Sequence, residues 1–197
     1  MGTRNLTCVV VDGEYKVSQY CQWDGYPKGQ GSTILDFLSK VNIDALREKV
    51  KDLHGYTDEE IEKIFDGYGN GSAWLTLEES DRLKQEHPEL HRDTGAMILE
   101  MIMLDDYIEG VHNNLEFARD SLFCEWAYVI DLDKNTFEVY RGFNKEPLRD
   151  SERFSSMGSS DNGYYPVKHF VTFDLDKLPP TAEKFVHICE EIEKKVA

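Results

Sequence analysis

The sequence lacks three features that would have pointed directly to a compartment or a chemistry. It has no apolar run near the ~20 residues that a membrane helix needs, and no basic-then-apolar segment of a secretory signal at its start. Its four cysteines are widely separated and form no Cys-x-x-Cys pair, which argues against a zinc ribbon, a redox pair or a disulfide framework. We therefore predict a cytoplasmic protein with reduced cysteines and no membrane partner.

Positive charge is also scarce. Lys and Arg together number 22, against 38 Asp and Glu, so the formal net charge is −16. A chain of this kind repels the phosphate backbone, and we expect no direct nucleic-acid binding. A protein partner rich in positive charge, or a metal, is easier to accommodate. Solubility alone also explains the acidity, because Lys and Arg remain interspersed with the acids.

The residues that are present are typical of a globular protein, with 40% apolar and 12% aromatic residues. A β-branched run predicts a strand over 6–11, Asp12 and Gly13 predict a hairpin turn, and the return strand follows over 14–23. Strict alternation along the return strand predicts that one face carries Tyr15, Val17, Gln19, Cys21 and Trp23.

Helical patterns occupy the middle of the chain. A helix is predicted after Ser32 and Thr33, with Thr33 and Asp36 at the spacing of a capping box. Four more helices are predicted over residues 44–53, 58–65, 77–85 and 96–104. Thr57 and Thr76 are the expected caps of the second and third of these.

Strand patterns return in the last third of the chain. A hairpin is predicted from strands 126–132 and 136–143, followed by a further strand over 168–175 and a closing helix over 182–195. Between them, the serine-rich stretch 149–163 predicts a polar, mobile loop.

The order of these elements predicts an α+β fold. We expect a mostly antiparallel sheet of about five strands, two N-terminal and three C-terminal, with a central helical block and a C-terminal helix. The length of 197 residues suits a single domain over 1–197, in which 32–122 is largely helical.

The segment over residues 20–31 holds the strongest functional signal. Trp23 and Tyr26 each offer an apolar face with one polar tip, and the glycines nearby permit close backbone approach to a ligand. Together with Gln22, which precedes Trp23, and Asp24, which follows it, these residues predict a binding loop. The alternative is a structural corner in which Asp24 caps the turn and the rings pack beneath it.

Two further segments supply candidate ligand-binding residues. Lys28, Gly29 and Gly31 precede a predicted helix, so free backbone N–H groups there could hold an anion, although a plain capped turn explains the same residues. Arg92 and Asp93 open the apolar segment that follows. Either Asp93 or Thr94 is a candidate helix cap, and Arg92 is a candidate partner for Asp24 or for an anionic ligand.

The metal patterns in the chain are incomplete. The segment 66–72 has the glycines of a calcium loop but places Tyr68 and Leu77 where oxygen ligands are required. His87 and His91 stand at a metal-like interval with Pro88 between them and no third ligand nearby in sequence. We predict no metal site and no cofactor.

Three segments together resemble a known family. GTRNLT at residues 2–7, YCQWDGYP with GQG within 20–31, and RDTGA at 92–96 are similar to a family of uncharacterised bacterial, prophage, phage and fungal proteins. The similar phage segments carry a histidine at the position of Gln22. The resemblance implies a phage-related role and adds Arg4, within the first segment, to the candidate site.

These observations leave two hypotheses of different classes. The first is a soluble binding or regulatory protein that recognises a small molecule or a host protein through the aromatic and glycine-rich loop. The second is an amidohydrolase of the amino-terminal-nucleophile type, in which Thr3 would have to become the first residue. A nucleophilic Cys21 is a further variant of the enzyme hypothesis, but no complete catalytic set is visible in the sequence.

Overall fold

The computed structural model describes residues 2–69, 75–104 and 107–196. Five strands form one sheet: β1 (Asn5–Val11), β2 (Glu14–Cys21), β3 (Trp126–Asp131), β4 (Thr136–Arg141) and β5 (Lys168–Asp174). Their spatial order is β2-β1-β3-β4-β5, with β1 and β3 parallel and the other neighbours antiparallel. The predicted α+β class, with its mostly antiparallel sheet of two N-terminal and three C-terminal strands, is confirmed.

Within the described residues, six α-helices accompany the sheet. They are α1 (Ser32–Leu38), α2 (Ile43–Lys51), α3 (Asp58–Gly69), α4 (Leu77–Glu86), α5 (Ile98–Met103) and α6 (Ala182–Val196). The central helical block and the C-terminal helix therefore lie where the sequence predicts them. At α4 the predicted Thr76 cap is part of a complete capping box with Glu79.

The start of α1 differs from the prediction. Gly31 is the N-cap, and no side chain caps the helix. Ser32 Oγ donates to the Pro27 carbonyl at 2.9 Å instead, and Thr33 Oγ1 donates to the Gly29 carbonyl at 3.4 Å. Both hydroxyls donate to backbone carbonyls that come earlier in the chain, because a helical turn over Pro27–Gly31 already precedes the helix.

One face of the sheet carries the larger core. Val9, Ile130 and Phe137 point from the strands toward helices that contribute buried residues such as Ile34 and Ile98. Strand β1 is buried along its whole length, which agrees with its near-continuous apolar sequence.

Loop segments, rather than α-helices, cover the opposite face. Phe154 is only 1% exposed and packs with Val167 against Cys8 and Val129 of the sheet. The predicted polar loop over 149–163 is therefore a packed layer, because its few apolar side chains reach the core while its serines and glycines form the outer turns.

A bulge in β2 corrects the predicted alternation. Val9 pairs with Val17, but Val10 pairs with Tyr15, so Lys16 is the extra residue. Tyr15 consequently lies on the loop-covered face, where it stacks on Phe154 with ring centroids 6.1 Å apart. Trp23 also departs from the prediction, because β2 ends at Cys21.

Candidate functional site

Backbone hydrogen bonds hold the corner that joins β2 to α1, which comprises residues 22–31. The N–H of Gly25 donates to the Thr3 carbonyl at 2.9 Å, and the N–H of Gln30 donates to the Asp24 carbonyl at 2.8 Å. The N–H of Gly29 donates to the Tyr26 carbonyl at 2.9 Å. These donors are thus occupied within the protein, and the plain turn explains them better than an anion site does.

Two glycines in the corner are needed for close packing. A Cβ on Gly29 would lie 2.1 Å from the Asp24 carbonyl oxygen, and a Cβ on Gly31 would lie 2.9 Å from Phe185 Cε1 and 3.0 Å from Tyr128 Oη. A side chain at Gly29 would collide with the backbone, and one at Gly31 would require the Phe185 and Tyr128 rings to shift. Both glycines are therefore accounted for by the corner itself, without a ligand.

Side chains from elsewhere anchor the corner to the core. Tyr128 is fully buried, and its Oη donates to the Gly25 carbonyl at 2.7 Å. Gln30 connects the corner to the RDTGA segment, because its Oε1 accepts from the Ala96 N–H at 2.8 Å and its Nε2 reaches Cys21 Sγ at 3.5 Å. These bonds fix the corner at both ends.

The two aromatic rings of the corner are partly left out of this packing. Trp23 is 43% exposed and Tyr26 is 41% exposed. The inner edge of the indole lies over Gly2, and Tyr26 Oη donates to Asp24 Oδ1 at 3.0 Å. Asp24 itself is exposed and has a positive φ of 54°. Lys28 is exposed on the same turn.

Backbone hydrogen bonds bring the chain at Arg92, and at Thr3 next to Arg4, to the corner that contains Gln22. The Gln22 N–H donates to the Arg92 carbonyl at 2.9 Å. The Arg4 guanidinium carbon lies 4.5 Å from the ring centre of Phe123, which is itself 41% exposed. Arg4 Nε is buried and has no hydrogen-bond partner among the described residues. Arg4 and Arg92 both act electrostatically on Tyr20, whose hydroxyl donates to Gln22 Oε1.

The predicted partnership of Arg92 with Asp24 is not formed. The Arg92 side chain is 66% exposed and its Nε lies 3.6 Å from Asp93 Oδ1. Asp24 accepts from Tyr26 instead. Asp93 also lacks the predicted role of helix cap, since the helical turn over Gly95–Met97 has no side-chain cap.

The two candidate nucleophiles, Cys21 and Thr3, both lie next to the corner. Cys21 is buried, and burial raises the pKa of its thiol, which donates to the Trp23 carbonyl at 3.4 Å. No histidine is bonded to this sulfur in the described part of the chain. Thr3 uses its carbonyl to hold Gly25, and the preceding Gly2 is buried beneath Trp23.

The candidate metal residues have other partners. His87 Nδ1 lies 3.2 Å from Glu89 Oε1, and the Asp93 N–H donates to His91 Nδ1 at 3.3 Å. Within the described ranges, no group of three or more His, Cys, Asp or Glu side chains is arranged to hold a metal ion. Residues 70–72 of the tested calcium loop lie outside the described residues.

Sequence reasoning missed a buried ionic cluster on the loop-covered face. Arg153 donates to both oxygens of Glu138 at 2.8 Å and also to Asp131. These groups line or underlie a cavity of about 450 Å³ with Tyr15 and Tyr140. Asp131 is only 2% exposed, although it stands at the end of a strand next to a turn. Its partner is 22 residues away in the chain, and no spacing pattern links the two.

Comparisons of the chain with protein-family models, with curated proteins and with solved structures found no match. The resemblance to phage and prophage sequences therefore remains a prediction. In the ranges that the structure describes, no helix combines the length and the apolar character needed to cross a membrane.

Proposed function

We propose that this protein is a binding protein that recognises a protein partner through an aromatic surface at the β2–α1 corner. The surface consists of Trp23, Tyr26, Arg92 and the stacked pair of Arg4 and Phe123. The observation that carries the proposal is the partial exposure of the Trp23 and Tyr26 rings on a corner whose backbone is fixed. Folding accounts for the glycines, Gln30 and Tyr128, but it gives no reason for large aromatic rings at these two exposed positions.

The composition of this surface favours a protein as the partner. Trp, Tyr and Arg are the residues most enriched in the energetic centres of protein interfaces. Met97, which follows the Ala96 that is bonded to Gln30, is also 43% exposed and adds a flexible apolar side chain. Aromatic side chains lose little conformational entropy on binding, and the entropy loss is smaller still where the backbone is already ordered.

The charge of the surface indicates how a partner is oriented. Arg4 makes no ion pair among the described residues, and the Arg92 side chain is mostly exposed. Guanidinium groups bind carboxylates in a planar, two-point geometry. We infer that the partner presents a carboxylate beside an apolar patch. The phage-like segments favour a host component for this role, and the four free, buried thiols favour the cytoplasm.

The test is native mass spectrometry on the protein purified gently from its own cells. Arg92→Glu is the main variant, because the backbone carbonyl of Arg92, and not its exposed side chain, holds Gln22. Arg149→Glu makes the same charge change at an exposed arginine elsewhere on the molecule. Trp23→Ala is added, with its thermal stability measured in parallel.

The proposal predicts that the wild type carries a second protein, that Arg92→Glu loses it, and that Arg149→Glu retains it. Trp23→Ala should lose the partner at temperatures well below its own unfolding. Equal retention by Arg92→Glu and Arg149→Glu would contradict the proposal. So would loss of the partner by Trp23→Ala only where the variant itself unfolds, since that result is expected of a structural corner.

A further inference from the structure

A small cavity lies at the outer edge of β2, separate from the exposed rings. Two segments cap this edge: the Gln22 N–H donates to Arg92, and the Asn114 N–H donates to the Ser18 carbonyl at 2.9 Å. Between them, the edge opens at Tyr20 into a cavity of about 110 Å³. A cavity of this size holds a few water molecules or one small molecule.

The inner wall of the cavity contains a buried acceptor with no donor. Gln19 lines the cavity and is 3% exposed, and its Oε1 has no hydrogen-bond partner among the described residues. Thr7 lies directly opposite Gln19 on β1, yet its hydroxyl makes no hydrogen bond either. Buried polar groups in folded proteins are nearly always paired, so an unpaired amide oxygen at a cavity points to a missing donor.

The remaining wall holds one buried carboxylate, Glu89, and one guanidinium, Arg92. Glu89 lines the cavity, is 1% exposed, and accepts from Tyr56 and His87, both through Oε1. Burial lowers the pKa of His91 and of His112, which favours their neutral forms. Arg92 is the one cation of the lining, and it is already 3.6 Å from Asp93.

We propose that this cavity binds a small primary ammonium group, with Gln19 Oε1 and the Glu89 carboxylate as acceptors. An ammonium group brings N–H donors for the Gln19 oxygen and a positive charge for the Glu89 carboxylate. The cavity shares Arg92 with the aromatic surface, but neither Trp23 nor Tyr26 lines it.

In the test, ethylammonium chloride is titrated into the 197-residue protein, and the amide NMR shifts report its binding. Tetramethylammonium chloride at equal ionic strength is the control ligand, since it carries the same charge without an N–H donor. Gln19→Met removes the acceptor at similar volume. Gln85→Met makes the same exchange at an exposed position of α4 and serves as the matched control.

The proposal predicts saturable shifts at residues 19–20, 89–92 and 112–114 with ethylammonium and none with tetramethylammonium. Gln19→Met should weaken this binding at least tenfold, and Gln85→Met should leave it unchanged. If Gln19→Met fails to fold, Glu89→Gln decides: a tenfold loss supports the site, and unchanged affinity overturns it. Absence of saturable shifts in the wild type, as expected of a cavity filled only by water, would also overturn it.

Discussion

Replacing Gly29 by alanine asks whether this glycine serves the corner or a ligand. The new Cβ would lie 2.1 Å from the Asp24 carbonyl oxygen and 2.9 Å from Asp24 Cβ. The oxygen belongs to the backbone and accepts the Gln30 N–H at 2.8 Å, so it cannot move without weakening that bond. A glycine kept only for ligand approach would accept alanine without loss of stability.

The size of the effect follows from three contributions. Overpacking costs about 1–3 kcal/mol, and leaving a buried polar group unpaired costs about 1–3 kcal/mol more. Alanine also restricts the unfolded chain more than glycine does, which offsets the loss of stability by about 0.4–1 kcal/mol. We expect a net loss of about 3 kcal/mol in the free energy of unfolding, which lowers Tm by about 6–12 °C for a chain of this size.

Urea denaturation and calorimetry measure this loss, with Gly67→Ala as the control. Gly67 lies in α3, and nothing lies within 4 Å of a Cβ built there. Alanine should therefore stabilise the helix by about 0.5–1 kcal/mol. If Gly29→Ala were as stable as the wild type while Gly67→Ala behaved as expected, the account of the corner would be refuted.

Three further predictions concern the core and the ionic cluster. Tyr128→Phe removes the hydroxyl that donates to Gly25, and urea denaturation should show a loss of about 1–3 kcal/mol, because the buried carbonyl is left unpaired. Burial opposes ionisation of Glu138, but hydrogen bonds from Arg153 hold its pKa below the usual value. The ionised carboxylate therefore contributes fully to the free energy of unfolding above the unfolded pKa of about 4.3, and this contribution is lost as the pH falls through the lowered pKa of the folded state. Glu138→Gln should flatten this part of the plot of stability against pH, and an unchanged plot would contradict the prediction. Cys21, buried and with a raised pKa, should resist alkylation at mildly basic pH until the protein unfolds; fast labelling of the native state, followed by mass spectrometry, would show this to be wrong.

The strand and helix positions were predictable because their signals are local. The β-branched run of β1, the Asp12–Gly13 turn and the capping box at Thr76 each depend on residues close together in sequence. The bulge at Lys16 was not predictable, because it depends on how Tyr15 packs against a loop more than 130 residues further on. Pattern alone assigned Tyr15 to the wrong face.

The candidate site was predictable in its segments but not in its internal bonds. The sequence assigned residues of the segment 20–31 and Arg92 to one candidate site, and the structure bonds the Gln22 N–H to the Arg92 carbonyl. The sequence could not indicate that Gly29 packs against Asp24 and Gly31 against Phe185, since those contacts depend on the fold. The Arg153 cluster was missed for the same reason.

The central claim, that the corner binds a protein partner, is tested most directly by photo-cross-linking in the native cells. A benzophenone side chain is placed at Tyr26, which is 41% exposed, in one form of the protein and at Phe143, an aromatic residue elsewhere that is 51% exposed, in a second form. The account predicts a discrete cross-linked protein from position 26 and none from position 143. No product at position 26, or the same products from both positions, would contradict it.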